Sequence, residues 1–273
     1  MTDLGLDPRG TLRALEQRAR KRFGQHFLSD LGVVARIVRG ARLAPGDRVV
    51  EIGPGLGILT GALLRAGADL QVVELDRDLA AYLREQVPSL IVHEADATQV
   101  DWAALFPGGE IKVVANLPYN VGTHLTMQLL RQPAVFRSVT VMLQLEVVQR
   151  LCADPGSKSY GALSIEAQAR ATPTFITAVD AQTFFPPPKV RSAVVRFDLF
   201  DAPRTGVDPD RFDRTVRAAF AHRRKTLLNA LGATYGRERS QAALDEAGIE
   251  AGLRAAVVDL DGYRRLARAL ASG

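Results

Sequence analysis

The chain has 273 residues, 47 % of them hydrophobic and 24 % charged, with a net charge of +5; this is the profile of a globular protein long enough to bury its own core. A single cysteine, Cys152, excludes an internal disulfide framework and a cysteine-based zinc cluster, and no metal site is expected. There is no run of about 18 apolar residues to cross a bilayer, and the first residues mix Asp3, Asp7, Arg9 and Arg13 instead of forming the apolar stretch of an export signal, so a reducing, cytoplasmic setting without membrane contact is expected.

Residues 1–22 read as a basic, Arg-rich arm, helical in part. Ser29 and Asp30 can cap a helix running to about Leu43, with Leu31, Val34, Ile37 and Val38 on its apolar face. The period then changes. Short β-rich runs at 48–52, 70–75, 90–93 and 111–115 alternate with helical stretches ending near Ala66 and covering 77–86 and 122–131, the pattern of βαβ units and a parallel sheet. A strand at 138–143 lies between 122–131 and a helix at 144–153, another helix covers 160–171, and strands are expected at 174–179 and 192–197. The last two are joined by a short proline-rich link, so one strand should run antiparallel. Asp201 to Pro209 reads as a linker, and helices are expected at about 210–222, 223–231, 239–247 and 262–270. The fold class is therefore α/β, with a domain over 23–204 and a small all-helical domain over 205–273.

Charge is unevenly distributed along this layout. Residues 1–50 carry net +5, 51–110 net −7, 111–200 net +4 and 201–273 net +3. A basic arm followed by an acidic block points to a polyanion on one face. The contacts expected are Arg18, Arg20, Lys21 and Arg22 in the arm and Arg223, Arg224 and Lys225 in the tail.

Four strand ends and one proline-rich link carry candidate chemistry. Glu51-Ile52-Gly53-Pro54-Gly55-Leu56-Gly57 follows a strand and opens a helix; glycines there allow a tight turn and close approach of a ligand to free N–H groups. The G-x-G-x-G spacing is neither a dinucleotide fingerprint nor a P-loop. Glu74, at the next strand end, can accept both hydroxyls of a ribose, with Asp76 as a competitor. Asp96, in Glu94-Ala95-Asp96-Ala97, can accept from the exocyclic amine of an adenine. Asn116-Leu117-Pro118-Tyr119 suits a planar base bearing an NH2: the Asn oxygen and a main-chain carbonyl accept its hydrogens and the Tyr ring stacks. In Phe184-Phe185-Pro186-Pro187-Pro188-Lys189-Val190 the prolines stiffen the backbone and could present Phe184 opposite Tyr119 across that base.

Together with Phe23-Gly24-Gln25-His26-Phe27-Leu28 and Arg191-Ser192, these segments make the chain resemble the ribosomal RNA adenine N6-dimethyltransferase family. It looks closest to the branch acting on small-subunit RNA. The resemblance covers nearly the whole chain and implies a Rossmann-like, S-adenosylmethionine-dependent methyltransferase domain with a helical, RNA-binding C-terminal domain. The implied reaction places two methyls on N6 of each of two adjacent adenosines in the 3′-terminal hairpin loop of small-subunit rRNA, within the assembling subunit. It implies cofactor contacts from His26, Leu28, Gly53, Gly55, Glu74, Asp96 and Asn116, and catalytic roles for Asn116, Leu117, Pro118, Tyr119 and Phe184. Family members commonly carry Asn where this chain has His26. Nothing calls for an obligate oligomer, and a monomer is expected. Three other readings compete: a nicotinamide-dependent oxidoreductase, a DNA adenine methyltransferase, and a non-enzymatic RNA-binding assembly factor.

Overall fold

A computed structural model describes residues 4–15, 26–222 and 224–272. Helix caps set where the chain turns from loop to helix. Asp30 accepts a hydrogen bond from Val33 N at 2.8 Å and opens α2 (Leu31–Ala41), whose buried face is Val33, Val34, Ile37 and Ala41. Asp76 caps α4 (Arg77–Gln86) and Asp101 caps the one-turn α5 (Trp102–Leu105); in each case a side-chain carboxylate takes one of the N–H groups the first turn leaves over.

The first helix of the protein, α1 (Pro8–Ala14), is capped by Asp7 through Gly10 N. It does more than carry charge: Leu12 joins Phe27, Leu56 and Leu79 in a small apolar cluster, and Leu4 comes close to Gly57. The sequence reading of 1–22 as a basic arm missed this anchoring, because only a few leucines are spread through a charged segment. The expected RNA contacts Arg18, Arg20, Lys21 and Arg22, and Arg223 in the tail, lie outside the described residues.

The sheet is built as expected. Strands β2 (Arg48–Ile52), β3 (Asp69–Glu74), β4 (Ile91–Glu94), β5 (Ile111–Asn116), β6 (Phe136–Gln144), β7 (Ala171–Val179) and β9 (Ser192–Leu199) stand in the order β4-β3-β2-β5-β6-β9-β7. From β4 to β6 every neighbouring pair is parallel; β9 runs antiparallel to β6, with Val141 opposite Val195. Helices α3 (Ile58–Arg65) and α6 (Tyr119–Leu130) follow β2 and β5. Because β2, β3, β4 and β5 point the same way, their C-terminal ends and following loops gather at one edge, the edge at which open parallel sheets bind ligands. A separate two-stranded ladder was not anticipated: β1 (Phe27–Leu28) pairs antiparallel with β8 (Phe184–Phe185). Strands of two residues have no period to read.

The chain divides into two compact units, one of residues 1–148 and 174–199, the other of 149–173 and 200–273. A single cut near residue 204 does not describe this division, because 149–173 belong with the helical tail. The reason is a shared core. Tyr160 and Ile165 pack with Phe212, Val216, Leu227, Leu231, Leu244, Tyr263 and Leu266, side chains worth about 1.5–3 kcal/mol each when buried. That unit is built from α8 (Ala162–Gln168), α9 (Pro209–Phe220), α10 (Leu227–Tyr235), α11 (Arg237–Ala247) and α12 (Leu260–Ser272). Buried Arg170 ties its halves, donating to Asp213 Oδ2 at 2.9 Å and to Glu166 O at 2.7 Å, while Glu166 takes both arms of Arg217. Among the described residues no helix is long and apolar enough to cross a membrane.

Candidate active site

A single cavity in the first unit collects the loops after β2, β3, β4 and β5. Its first wall is the glycine turn. Gly53, Gly55 and Gly57 all have positive φ, at 67°, 58° and 85°, a conformation open to glycine at no steric cost. At Gly55 an added Cβ would meet the Phe27 ring at 3.2 Å, and at Gly53 it would touch the main-chain oxygen of Asn116 at 3.9 Å. The turn and Asn116 line the same cavity, with no glycine side chain intruding on it.

The second wall is acidic. Glu74 Oε2 accepts from Gly55 N at 3.1 Å and Oε1 from Asp76 N at 2.9 Å. Those bonds lock the carboxylate at the strand end, yet burial outweighs them and holds its pKa above the ordinary value. Asp76, the competing ribose partner, is engaged as the cap of α4. Asp96 Oδ1 takes both the N–H and the hydroxyl of Thr98, which fixes its side chain in the cavity lining. Neighbouring Glu94 is tied to Arg77 and Arg84 instead.

Sequence reasoning passed over Glu51 as a site residue. It is 1 % exposed, lines the cavity, and takes a hydrogen bond from Thr60 Oγ1 at 2.6 Å. Burial pushes its pKa up to about 8, with the charge of Glu74 adding to the rise. The signal was present: an acid inside the apolar run Val49-Val50-Glu51-Ile52 must be hydrogen-bonded or keep its proton to offset its desolvation.

The third wall is the corner after β5. Asn116 ends the strand, buried Leu117 follows, and Pro118 stands just ahead of α6. Asn116 Nδ2 donates to the main-chain carbonyl of His26 at 3.3 Å. Tyr119 Oη shares a hydrogen bond with Ser192 Oγ at 2.6 Å, and its ring stands 5.6 Å from that of His26 at 32°. Burial holds the Tyr119 phenol above its usual pKa, so it acts as a neutral ring and hydroxyl.

The structure thus brings His26, Leu28, Gly53, Gly55, Glu74, Asp96, Asn116, Leu117, Pro118 and Tyr119 around one cavity. It does not bring Phe184 there. Phe184 is 4 % exposed and packs with Leu28, Val33 and Ile37; the expectation that it faces Tyr119 across a base is corrected. The register of β1 on β8 places it opposite Leu28, and that pairing turns its ring into the core. Phe185 is the more open of the two, lying under the Arg9 guanidinium. Arg224 and Lys225 are exposed ahead of α10.

The donor set fits an adenosine-bearing sulfonium cofactor. A carboxylate locked at a strand end, a second acceptor on the next loop, a glycine turn that bears no side chain and apolar Leu56, Leu79 and Ala97 match a ribose, a base amine, a chain and a ring in turn.

Comparison with known proteins agrees with this arrangement. The family model described as ribosomal RNA adenine dimethylase matches residues 16–271. The ribosomal RNA small subunit methyltransferase A of Syntrophotalea carbinolica is 45 % identical over 257 residues, covering 93 % of this chain and 97 % of that protein. Its namesake in Pseudomonas aeruginosa is 43 % identical over 261 residues, covering 94 % and 96 %. Among solved structures, the 23S rRNA methyltransferase ErmE has a TM-score of 0.70 at 29 % identity, covering 90 % of this chain and 99 % of that one. A dimethyladenosine transferase from Plasmodium falciparum, at 24 % identity and a TM-score of 0.77, covers 88 % and 96 % and shares the fold. The match runs through the glycine turn, the Asn116 corner and the helical tail alike, and the chain belongs to the ribosomal RNA adenine dimethylase family.

Proposed function

We propose that the chain transfers methyl groups from S-adenosylmethionine to N6 of two adjacent adenosines in the 3′-terminal hairpin loop of small-subunit rRNA, making N6,N6-dimethyladenosine at both during assembly of the subunit. The observation that carries this reading is the meeting of Asn116 and Tyr119 with Glu74 and Asp96 around one cavity. The small-subunit assignment is supported by relatives at 43–45 % identity bearing that name. The enzyme acts in the cytoplasm as a monomer.

Glu74 takes the ribose hydroxyls, Asp96 the adenine amine of the cofactor, and the turn at Gly53 and Gly55 leaves room for its chain. His26 and Leu28 close that side of the cavity. S-Adenosylmethionine supplies a methyl on a positively charged sulfur, which makes the carbon electrophilic. The chain's part is to prepare the target. Adenine N6 is a poor nucleophile because its lone pair is spread into the ring. Asn116 donates its NH2 to His26 O, which leaves Oδ1 to accept one hydrogen of the target amine, and a carbonyl of the Leu117-Pro118 stretch accepts the other. Both bonds draw the amine towards a tetrahedral shape and hold it in line. The Tyr119 ring stacks on the flipped base, a contact worth about 1–3 kcal/mol. Arg224 and Lys225, with Arg20, Lys21, Arg22 and Arg223, take phosphates and give affinity without base readout, so shape selects the RNA.

The test is methylation of small ribosomal subunits that lack this modification, using labelled S-adenosylmethionine and nuclease digestion. Label recovered as N6,N6-dimethyladenosine from both positions supports the reading. Label confined to large subunits, to DNA or to another nucleoside overturns it.

A further inference from the structure

His26 holds three parts of the site together. Its ring Nδ1 lies 2.8 Å from Pro186 O. Its main-chain carbonyl receives Asn116 Nδ2. Its ring lies beside that of Tyr119. A proline carbonyl can only accept, so Nδ1 carries the hydrogen of the first bond. The His26 carbonyl can only accept too, so Asn116 must turn its NH2 towards it, and the amide oxygen faces the other way. The backbone beyond His26 is zipped to the same proline-rich segment. Phe27 and Leu28 pair with Phe185 and Phe184, and Ser29 donates both its N–H and its hydroxyl to Thr183 O. The ring bond to Pro186 is the last link of that zip, next to the carbonyl that Asn116 uses.

We propose that His26 is a positioning residue, whose ring bond to Pro186 fixes the main-chain carbonyl that orients the Asn116 carboxamide towards the target amine. The proposal rests on the reading that Asn116 accepts a hydrogen of that amine. It differs from a direct hold on the cofactor in assigning the ring donor to Pro186 and the carbonyl to Asn116, a difference that cofactor affinity separates from turnover. An asparagine amide turns freely about its last bond; with its partner carbonyl loosened, the oxygen is no longer preset, and misplacement by about 1 Å costs on the order of 100-fold in rate.

Two substitutions separate the roles. His26→Phe keeps a flat ring beside Tyr119 and removes the donor. His26→Asn keeps a donor, since its amide nitrogen is as many bonds from Cβ as Nδ1 of histidine. The single-turnover rate on unmodified small subunits at saturating cofactor is measured for each, together with cofactor Kd by calorimetry without RNA and thermal melting. The expected result is a rate lower by about 10- to 100-fold for His26→Phe, a Kd within about threefold of the parent, and recovery of most of the rate in His26→Asn. The proposal is overturned if His26→Phe keeps its rate, if its Kd rises by the same factor as the rate falls, or if His26→Asn is as slow as His26→Phe. Should His26→Phe not fold, His26→Leu, which likewise has no donor, is judged by the same criteria. Asn116→Ala is run alongside: full rate there overturns the reading of Asn116 and this proposal with it, whereas loss there with full rate in His26→Phe overturns only the role of His26.

Discussion

Replacing Glu51 with glutamine should flatten the dependence of stability on pH. In the folded chain Glu51 is buried and its pKa is pushed from 4.5 up to about 8. A buried carboxyl with a raised folded-state pKa holds a proton that the unfolded chain has already lost. Between about pH 4.5 and 8 the native state binds more protons, so stability falls as pH rises through that window. Each unit of that difference is about 1.4 kcal/mol, so from pH 6 to pH 9 the carboxyl removes about 2–3 kcal/mol. Glutamine keeps an acceptor for Thr60 and takes up no proton, so its curve lacks that slope. Glu74, also shifted upward by burial, contributes in the same direction to both proteins and largely cancels in the difference. Urea unfolding at steps from pH 6 to pH 9, followed by the fluorescence of Trp102, reads this directly. Trp102 is the one tryptophan of the chain, is 2 % exposed and lies in the same unit as Glu51. S-Adenosylmethionine should reduce the slope in the parent protein, since a cation in the cavity favours the charged carboxylate. Parallel curves for the two proteins would refute the buried-acid account.

Other perturbations address the remaining parts. Arg170→Met takes the guanidinium from beside a buried carboxylate in the helical unit and should cost about 3–5 kcal/mol, read by thermal melting; a loss under about 1 kcal/mol would mean the pair is not needed there. Tyr119→Ala should weaken capture of RNA far more than binding of the cofactor, measured separately by filter binding and calorimetry, and equal losses would make it a packing residue. Replacing Arg224 and Lys225 together by Ala should lower the slope of log affinity against log salt by roughly 1–2; an unchanged slope would remove them from the RNA face.

Much of this was legible because the local signals agree with one another. Short β-branched runs such as Val113-Val114 and Val72-Val73 alternate with capped helices, and α4 lies at the expected 77–86 because Asp76 caps it and Leu79, Ala80 and Leu83 form one face. The acceptors at strand ends were legible because parallel strands leave their C-terminal loops together. What stayed hidden depends on long-range packing. The burial of Leu12 is decided by Phe27, Leu56 and Leu79 from other parts of the chain. Phe184 and Phe185 are adjacent and alike, and only the ladder with Phe27 and Leu28 decides which ring enters the core. The return of 149–173 to the helical unit follows from Arg170 meeting Asp213, 43 positions along the chain, a pairing that no local pattern encodes.

The most direct test of the account is the effect of Asn116→Ala on two quantities measured side by side, cofactor Kd and the single-turnover rate of methyl transfer to unmodified small subunits. The account predicts a Kd close to the parent value and a rate lower by about 100- to 1,000-fold, the usual cost of one preset polar group at a reacting centre. A rate within a few-fold of the parent would contradict it, and so would a loss of cofactor binding large enough to explain the whole fall in rate.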